Sequence, residues 1–193
     1  MIIVDISNEM YNAAVFFAKQ RIVYEYPRKG YGKYDEKHHL QNLIFGYLGE
    51  FSFLSIVTEH FKIKYKGVND RDRFDKIKKE QFVYNFIIGT VDDGFDFKIK
   101  NKEIDVKTYG TKLLKLDEDI SKYNLLIDER QAKNHIADIY VQTFITGDNK
   151  PEKVVLSGYY EGLPPINNRF PKPAHAIQVS QLKSIENLLE KYF

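Results

Sequence analysis

Apolar residues recur at helical spacing from Ser7 to about Tyr24, at Met10, Ala13, Ala14, Phe17, Ala18 and Ile22. That pattern predicts a helix, with Ser7 or Asn8 in place to cap it. A second helical pattern runs from about Lys37 to Phe61 through Leu40, Leu43, Ile44, Tyr47, Leu48, Phe51, Leu54, Ile56 and Val57. Its apolar face is wide enough to predict a central helix. Gly46 and Gly49 interrupt it within one turn, and Glu50 follows the second directly. A glycine in a helix interior costs on the order of 1 kcal/mol relative to alanine, so the pair predicts that something packs close to that backbone.

Beyond a charged stretch at 62–80 the period changes. FVYNFIIGTV, FDFKIK and EIDVKT alternate as strands do, a mixed segment occupies 109–135, and IADIYVQTFIT and KVVLSGYY read as further strands. A short extended piece, AIQV at 176–179, precedes a helix opened by Ser180 with Leu182, Ile185, Leu188 and Leu189 on one side. Helices, then strands, then a helix predict an α/β (α+β) chain, with a central mixed β-sheet flanked by helices. No internal repeat divides it. Residues 1–193 are expected to form a single domain, with helices 7–24 and 180–192 packed on a core spanning about 40–160.

Composition narrows the chemistry. The chain has no cysteine, which removes disulfides, thiolate zinc sites, iron–sulfur clusters and thiol catalysis, and favours the cytoplasm. Its longest uncharged runs, His38–Gly49 and Gln81–Val91, fall short of the roughly 20 apolar residues that a membrane span needs. MIIVDISNEM lacks the basic and apolar regions of a signal peptide, so none is expected. The 29 Lys and Arg nearly balance the 27 Asp and Glu, so any nucleic-acid partner must be argued locally. The five histidines show no HExxH spacing, and neither GxSxG nor a P-loop is present.

The informative stretch is 92–108, DDGFDFKIKNKEIDVKT. Asn101-Lys102 between two alternating runs predicts a hairpin in which Lys100 opposes Glu103 and Asp96 opposes Lys107. Alternation then puts Asp96, Asp105 and Lys107 on one face, with Asp105 diagonal to Asp96. Carboxylates held this close raise each other's pKa, and a divalent cation relieves the repulsion. Oxygen ligands alone suit Mg²⁺, with Mn²⁺ as the near equivalent. A lysine beside such a cation orients water or offsets charge developing on phosphorus, which is the equipment for phosphodiester hydrolysis.

The helix segment Gly46-Tyr47-Leu48-Gly49-Glu50, then Asp96, then Ile104-Asp105-Val106-Lys107-Thr108 resemble the PD-(D/E)xK nuclease superfamily, which includes many restriction endonucleases. The resemblance extends over about 40–160, where 137–141 and 154–159 look like its closing strands. It implies a restriction-endonuclease-like core and a DNA endonuclease of the restriction or phage/mobile-element kind. It also implies Asp96 and Asp105 as metal ligands, the Val106 carbonyl as a further ligand, Lys107 positioning the attacking water and Glu50 assisting metal binding. Phe95 stands where the motif has proline, and Asp92 or Asp93 is an alternative to Asp96.

Taken singly, these residues have plainer readings. Asp96 with Lys107 would be a cross-strand ion pair worth about 0.2–1 kcal/mol, and Glu50 a solvated helix residue. Two other classes therefore stand beside the nuclease: a non-catalytic nucleic-acid-binding module of the same fold, and a protein-interaction subunit. For DNA, Lys98, Lys100 and Lys112 lie in a lysine-rich stretch, and Arg71 and Arg73 in another. The Tyr24–Tyr34 loop offers tyrosines for base stacking. His135 and Asp138 flank a strand entrance near the site, with Gln131 and Lys133 as weaker candidates for substrate contact. The terminal helix would pack on the core or form a homodimer contact, which would suit cutting of both strands.

Overall fold

The computed structural model describes residues 1–25, 36–64, 82–84, 95–170 and 173–193. Their fold is α+β, a mixed central sheet flanked by helices. The chain opens with strand β1 (Ile2–Asp5) and helix α1 (Asn8–Glu25), followed by the long helix α2 (Glu36–Lys64) and strand β2 (Phe82–Tyr84). Strands β3 (Phe97–Ile99) and β4 (Lys102–Leu114) form a hairpin. Strand β5 (Asn124–Asp128) and the short helix α3 (Glu129–Asn134) come before β6 (Ile139–Thr146) and β7 (Lys153–Glu161). Strands β8 (Ile166–Asn167) and β9 (Ala174–Gln178) precede helix α4 (Ile185–Tyr192).

The main sheet has the order β1-β7-β6-β4-β3-β2. Its β4–β6 pair is parallel, with Asp105 beside Tyr140 and Lys107 beside Gln142, and its other pairs are antiparallel. Parallel neighbours need a crossover, here supplied by β5 and α3. That crossover builds a second sheet, β5-β9-β8, over a small core of Leu125, Ile127, Ala137 and Tyr140. The mixed segment at 109–135 thus resolves into the end of β4, a 3₁₀ turn, β5 and α3.

Helix α2 occupies the central place that its apolar face predicts, burying Phe45, Leu48, Phe53, Val57 and Phe61. By length and composition it is also a candidate bilayer-spanning helix, but the core helix of a globular fold meets the same description, and most of its apolar residues belong to the core shared with the sheet. A Cβ on Gly49 would overlap the Thr108 hydroxyl and come within 2.7 Å of that of Thr143, whereas one on Gly46 would meet nothing within 4 Å. The close approach therefore belongs to Gly49 alone. The two threonine hydroxyls hydrogen-bond each other at 2.8 Å beneath it.

Three sequence expectations need correction. Strand β1 was not expected: it is four residues long and runs almost at once into α1, yet it pairs with β7 from Ile2–Leu156 to Asp5–Lys153. The terminal helix starts at Ile185, capped by the Ser184 hydroxyl, because Lys183 is held in extended pairing with Tyr159 through amide-to-carbonyl bonds of 2.9 and 3.0 Å. The hairpin turns at Lys100-Asn101, with Lys100 at φ 52°, so Lys98 rather than Lys100 opposes Glu103. Moving the pairing by two positions keeps every side chain on its face, so the apolar pattern fits both registers equally well.

Gly49→Ala is expected to destabilise the protein by about 1–3 kcal/mol, because overlap with two short hydrogen-bonded side chains outweighs the gain in helix propensity. A lowered urea midpoint at constant slope is the expected reading. Equal or greater stability would show that the helix does not sit this close.

Candidate metal and catalytic site

The site lies where α2, the β3–β4 hairpin and the β4–β6 crossover meet. Asp96 immediately precedes β3. Its amide donates to the Ile104 carbonyl at 2.9 Å while Phe97 pairs with the same residue, so two residues face one, as in a β-bulge. The bulge turns the Asp96 carboxylate toward β4, where Oδ2 accepts the Val106 amide at 2.7 Å. The expected opposition of Asp96 to Lys107 is not found. Amide and carbonyl of one residue in an extended strand point to the same edge, so the Val106 carbonyl faces the side from which Asp96 approaches.

Asp105 and Lys107 share the other face of β4, as alternation requires. Asp105 is 5% exposed, and its Oδ2 receives Lys107 Nζ at 2.6 Å and Gln131 Nε2 at 2.8 Å. Gln131 comes from α3, whose first turn is capped by the Asp128 carboxylate. Glu50 enters from α2, one residue after the close contact at Gly49. Its Oε2 accepts the Tyr84 hydroxyl at 2.8 Å, and the Tyr84 ring lies on that of Phe97 with centroids 4.6 Å apart.

These groups sense one another electrostatically. Burial pushes Glu50 up to about 7; the Tyr84 bond and the Arg21 charge oppose the rise, and Asp105 adds to it. Burial also lifts Asp96 well above the usual carboxylate range, with Glu50 and Asp105 raising it further against the pull of the Val106 amide. Burial works against the Lys107 charge, but Asp105 and Asp96 outweigh it and hold the ammonium above its ordinary range. Three carboxylates and one lysine thus act on one another, with Asp105 buried and Glu50, Asp96 and Lys107 half-buried. Among the described residues, no three acidic or imidazole side chains already stand together as a metal-binding group.

The remaining candidates divide. Lys98 lies on the Asp105 face, 4.0 Å from Glu103, and Lys100 and Lys112 are exposed. His135 Nε2 lies 2.9 Å from Glu103 Oε2. Asp138 accepts Lys102 Nζ at 2.7 Å and the Glu103 amide at 3.0 Å, which ties the start of β6 to the hairpin. Lys133 is exposed and paired with Glu129 at 2.9 Å. Arg71, Arg73, Asp92 and Asp93 lie outside the described residues, as does the part of the expected Tyr24–Tyr34 loop beyond Glu25, while Tyr24 itself stands in the last turn of α1.

Sequence reasoning missed Tyr84 and Arg21 and ranked Gln131 low. Tyr84 shares a strand face with Phe82, where an aromatic residue reads simply as core. Arg21 stands one turn after the inward-facing Phe17, which was an available signal. Comparison with known protein families, with characterised proteins and with solved structures finds no match.

The Glu50 shift has a consequence for stability. With a folded pKa near 7 against an ordinary 4.5, the folded chain holds a proton between these values that the unfolded chain has released. Its stabilisation is present below pH 4.5 and is lost as pH rises through 7. In EDTA, the urea midpoint is expected to fall between pH 5 and pH 8, and to fall less in Glu50→Gln. Equal pH dependence of the two proteins would contradict the burial of this carboxylate.

Proposed function

We propose that the protein is a divalent-metal-dependent nuclease that hydrolyses phosphodiester bonds in DNA, after the manner of the PD-(D/E)xK superfamily. The observation that carries this reading is the mutual influence of Glu50, Asp96, Asp105 and Lys107 at a half-buried place, with two carboxylates driven above their ordinary range. Folding brings acidic groups close enough to raise one another's pKa in partly desolvated surroundings, a cost that a bound cation would relieve.

The donors fit Mg²⁺ or Mn²⁺. Asp96, Asp105, the Val106 carbonyl and Glu50 offer oxygen only, from three different elements, and neither cysteine nor clustered imidazole competes for a softer metal. Bound there, the ion would polarise a phosphoryl oxygen and acidify a coordinated water. The protein's own part is to position and to compensate charge. Lys107, kept protonated by Asp105 and Asp96, would donate a hydrogen bond to the attacking water and offset negative charge developing on phosphorus. Asp105 would fix the direction of Lys107 through their 2.6 Å bond. Lys98 and Lys100 on the hairpin, with Lys112 at the far end of β4, would hold the phosphate backbone on either side.

Plasmid and single-stranded DNA, incubated with Mg²⁺ or Mn²⁺ and again with EDTA, test the reading directly. Metal-dependent cleavage is expected to fall at least about 100-fold in Asp105→Asn and in Lys107→Ala while both variants melt as folded proteins. Cleavage unchanged in both would overturn the assignment. Metal-independent DNA binding without cleavage by the wild type would point instead to a binding module.

A further inference from the structure

The Tyr84 ring stacks in the core as a phenyl ring would, and its hydroxyl adds a hydrogen bond to Glu50. Phe82 and Tyr84 lie on the same face of β2, and both rings stack on Phe97, with centroid separations of 5.3 and 4.6 Å and interplanar angles of 18° and 16°. Phe82 achieves its stacking without a hydroxyl. At Tyr84 the added oxygen is carried into a half-buried place, where desolvation costs unless it is hydrogen-bonded, and it donates to Glu50 Oε2 at 2.8 Å.

We propose that Tyr84 is a positioning residue for Glu50, holding the α2 carboxylate in the site and thereby setting how tightly the site takes a divalent cation. The inference rests on the nuclease reading and adds to it a residue outside the motif.

The geometry behind it is a chain of rings. Phe97 directly follows Asp96 and meets Phe53 of α2 edge-on, at 5.1 Å and 68°, and Phe53 lies three residues beyond Glu50. The ladder therefore joins β2, the hairpin and α2, and sets the helix carboxylate and the hairpin carboxylate against a common frame. A glutamate side chain has three torsions to lose on ordering, and a donor already fixed by stacking lowers what a cation must supply to order it. Hydrogen-bond partners of ligating groups typically alter metal affinity 10–100-fold when removed. Asp105 shows the same device, with Gln131 as its neutral donor.

Mn²⁺ binding to the metal-free protein, followed by electron paramagnetic resonance for wild type, Tyr84→Phe, Glu50→Gln and the double variant, tests the inference. Tyr84→Phe keeps the ring and is expected to keep the melting temperature within a few degrees, while weakening Mn²⁺ binding about 10-fold or more. Its cleavage is expected to be low at limiting Mn²⁺, to recover in excess Mn²⁺, and to show an unchanged KM for DNA. The double variant is expected to bind no more weakly than Glu50→Gln. Wild-type affinity in Tyr84→Phe, or losses that multiply in the double variant, would overturn the role of Tyr84 and leave the nuclease reading standing. A wild-type protein that takes up no Mn²⁺ and cuts no DNA would overturn the nuclease reading, and this inference with it.

Discussion

Helix α2 can lie on the sheet only as closely as its thinnest point allows, and that point is Gly49. Without a side chain there, the helix backbone descends onto the hydroxyls of Thr108 and Thr143, one from each strand of the parallel pair. Much else depends on this approach. It fixes the depth and rotation of a helix of 29 residues, so the next residue, Glu50, is carried toward the place where β3 begins and β4 continues past it. A bulkier residue would lift the helix and take the carboxylate with it.

The hairpin solves a complementary problem. A carboxylate at the end of a strand normally points to solvent, but the bulge at Asp96 bends it inward, and the Val106 amide holds it there. With Asp105 set by the alternation of β4, three acidic side chains on separate local frameworks act on one another electrostatically. The local order is stabilising at each framework taken alone, and the conflict among charges arises only when the frameworks are assembled.

What could be read in advance follows the range of the interactions. Asp105 and Lys107 are separated by two positions on a strand, so their common face was legible from alternation. The α+β class and the central place of α2 were legible from periodicity over long windows. The partner of Asp96 was not, because a shift of two positions preserves the apolar pattern and the registers differ only in the placing of the turn, at Lys100-Asn101, and in the local pairing of Asp96. Gln131 and Tyr84 reach the site through tertiary packing, and no local spacing announces them. Strand β1 was too short to show a period, and the start of α4 was set by a pairing between Lys183 and Tyr159 that lies far apart in the chain.

The parallel pairing of β4 and β6 also sets an order of events. Asp105 and Lys107 lie two positions apart in sequence, but the groups that complete their surroundings are remote: Tyr84 bonds Glu50 across 34 residues, and Gln131 bonds Asp105 across 26. Contacts of this span form only after loop closure has been overcome, and a parallel ladder waits for its crossover. The hairpin can therefore exist in a growing or partly folded chain well before the carboxylates are gathered. Assembly of the site becomes a late event, and a chain that has not finished folding carries the motif without the pocket.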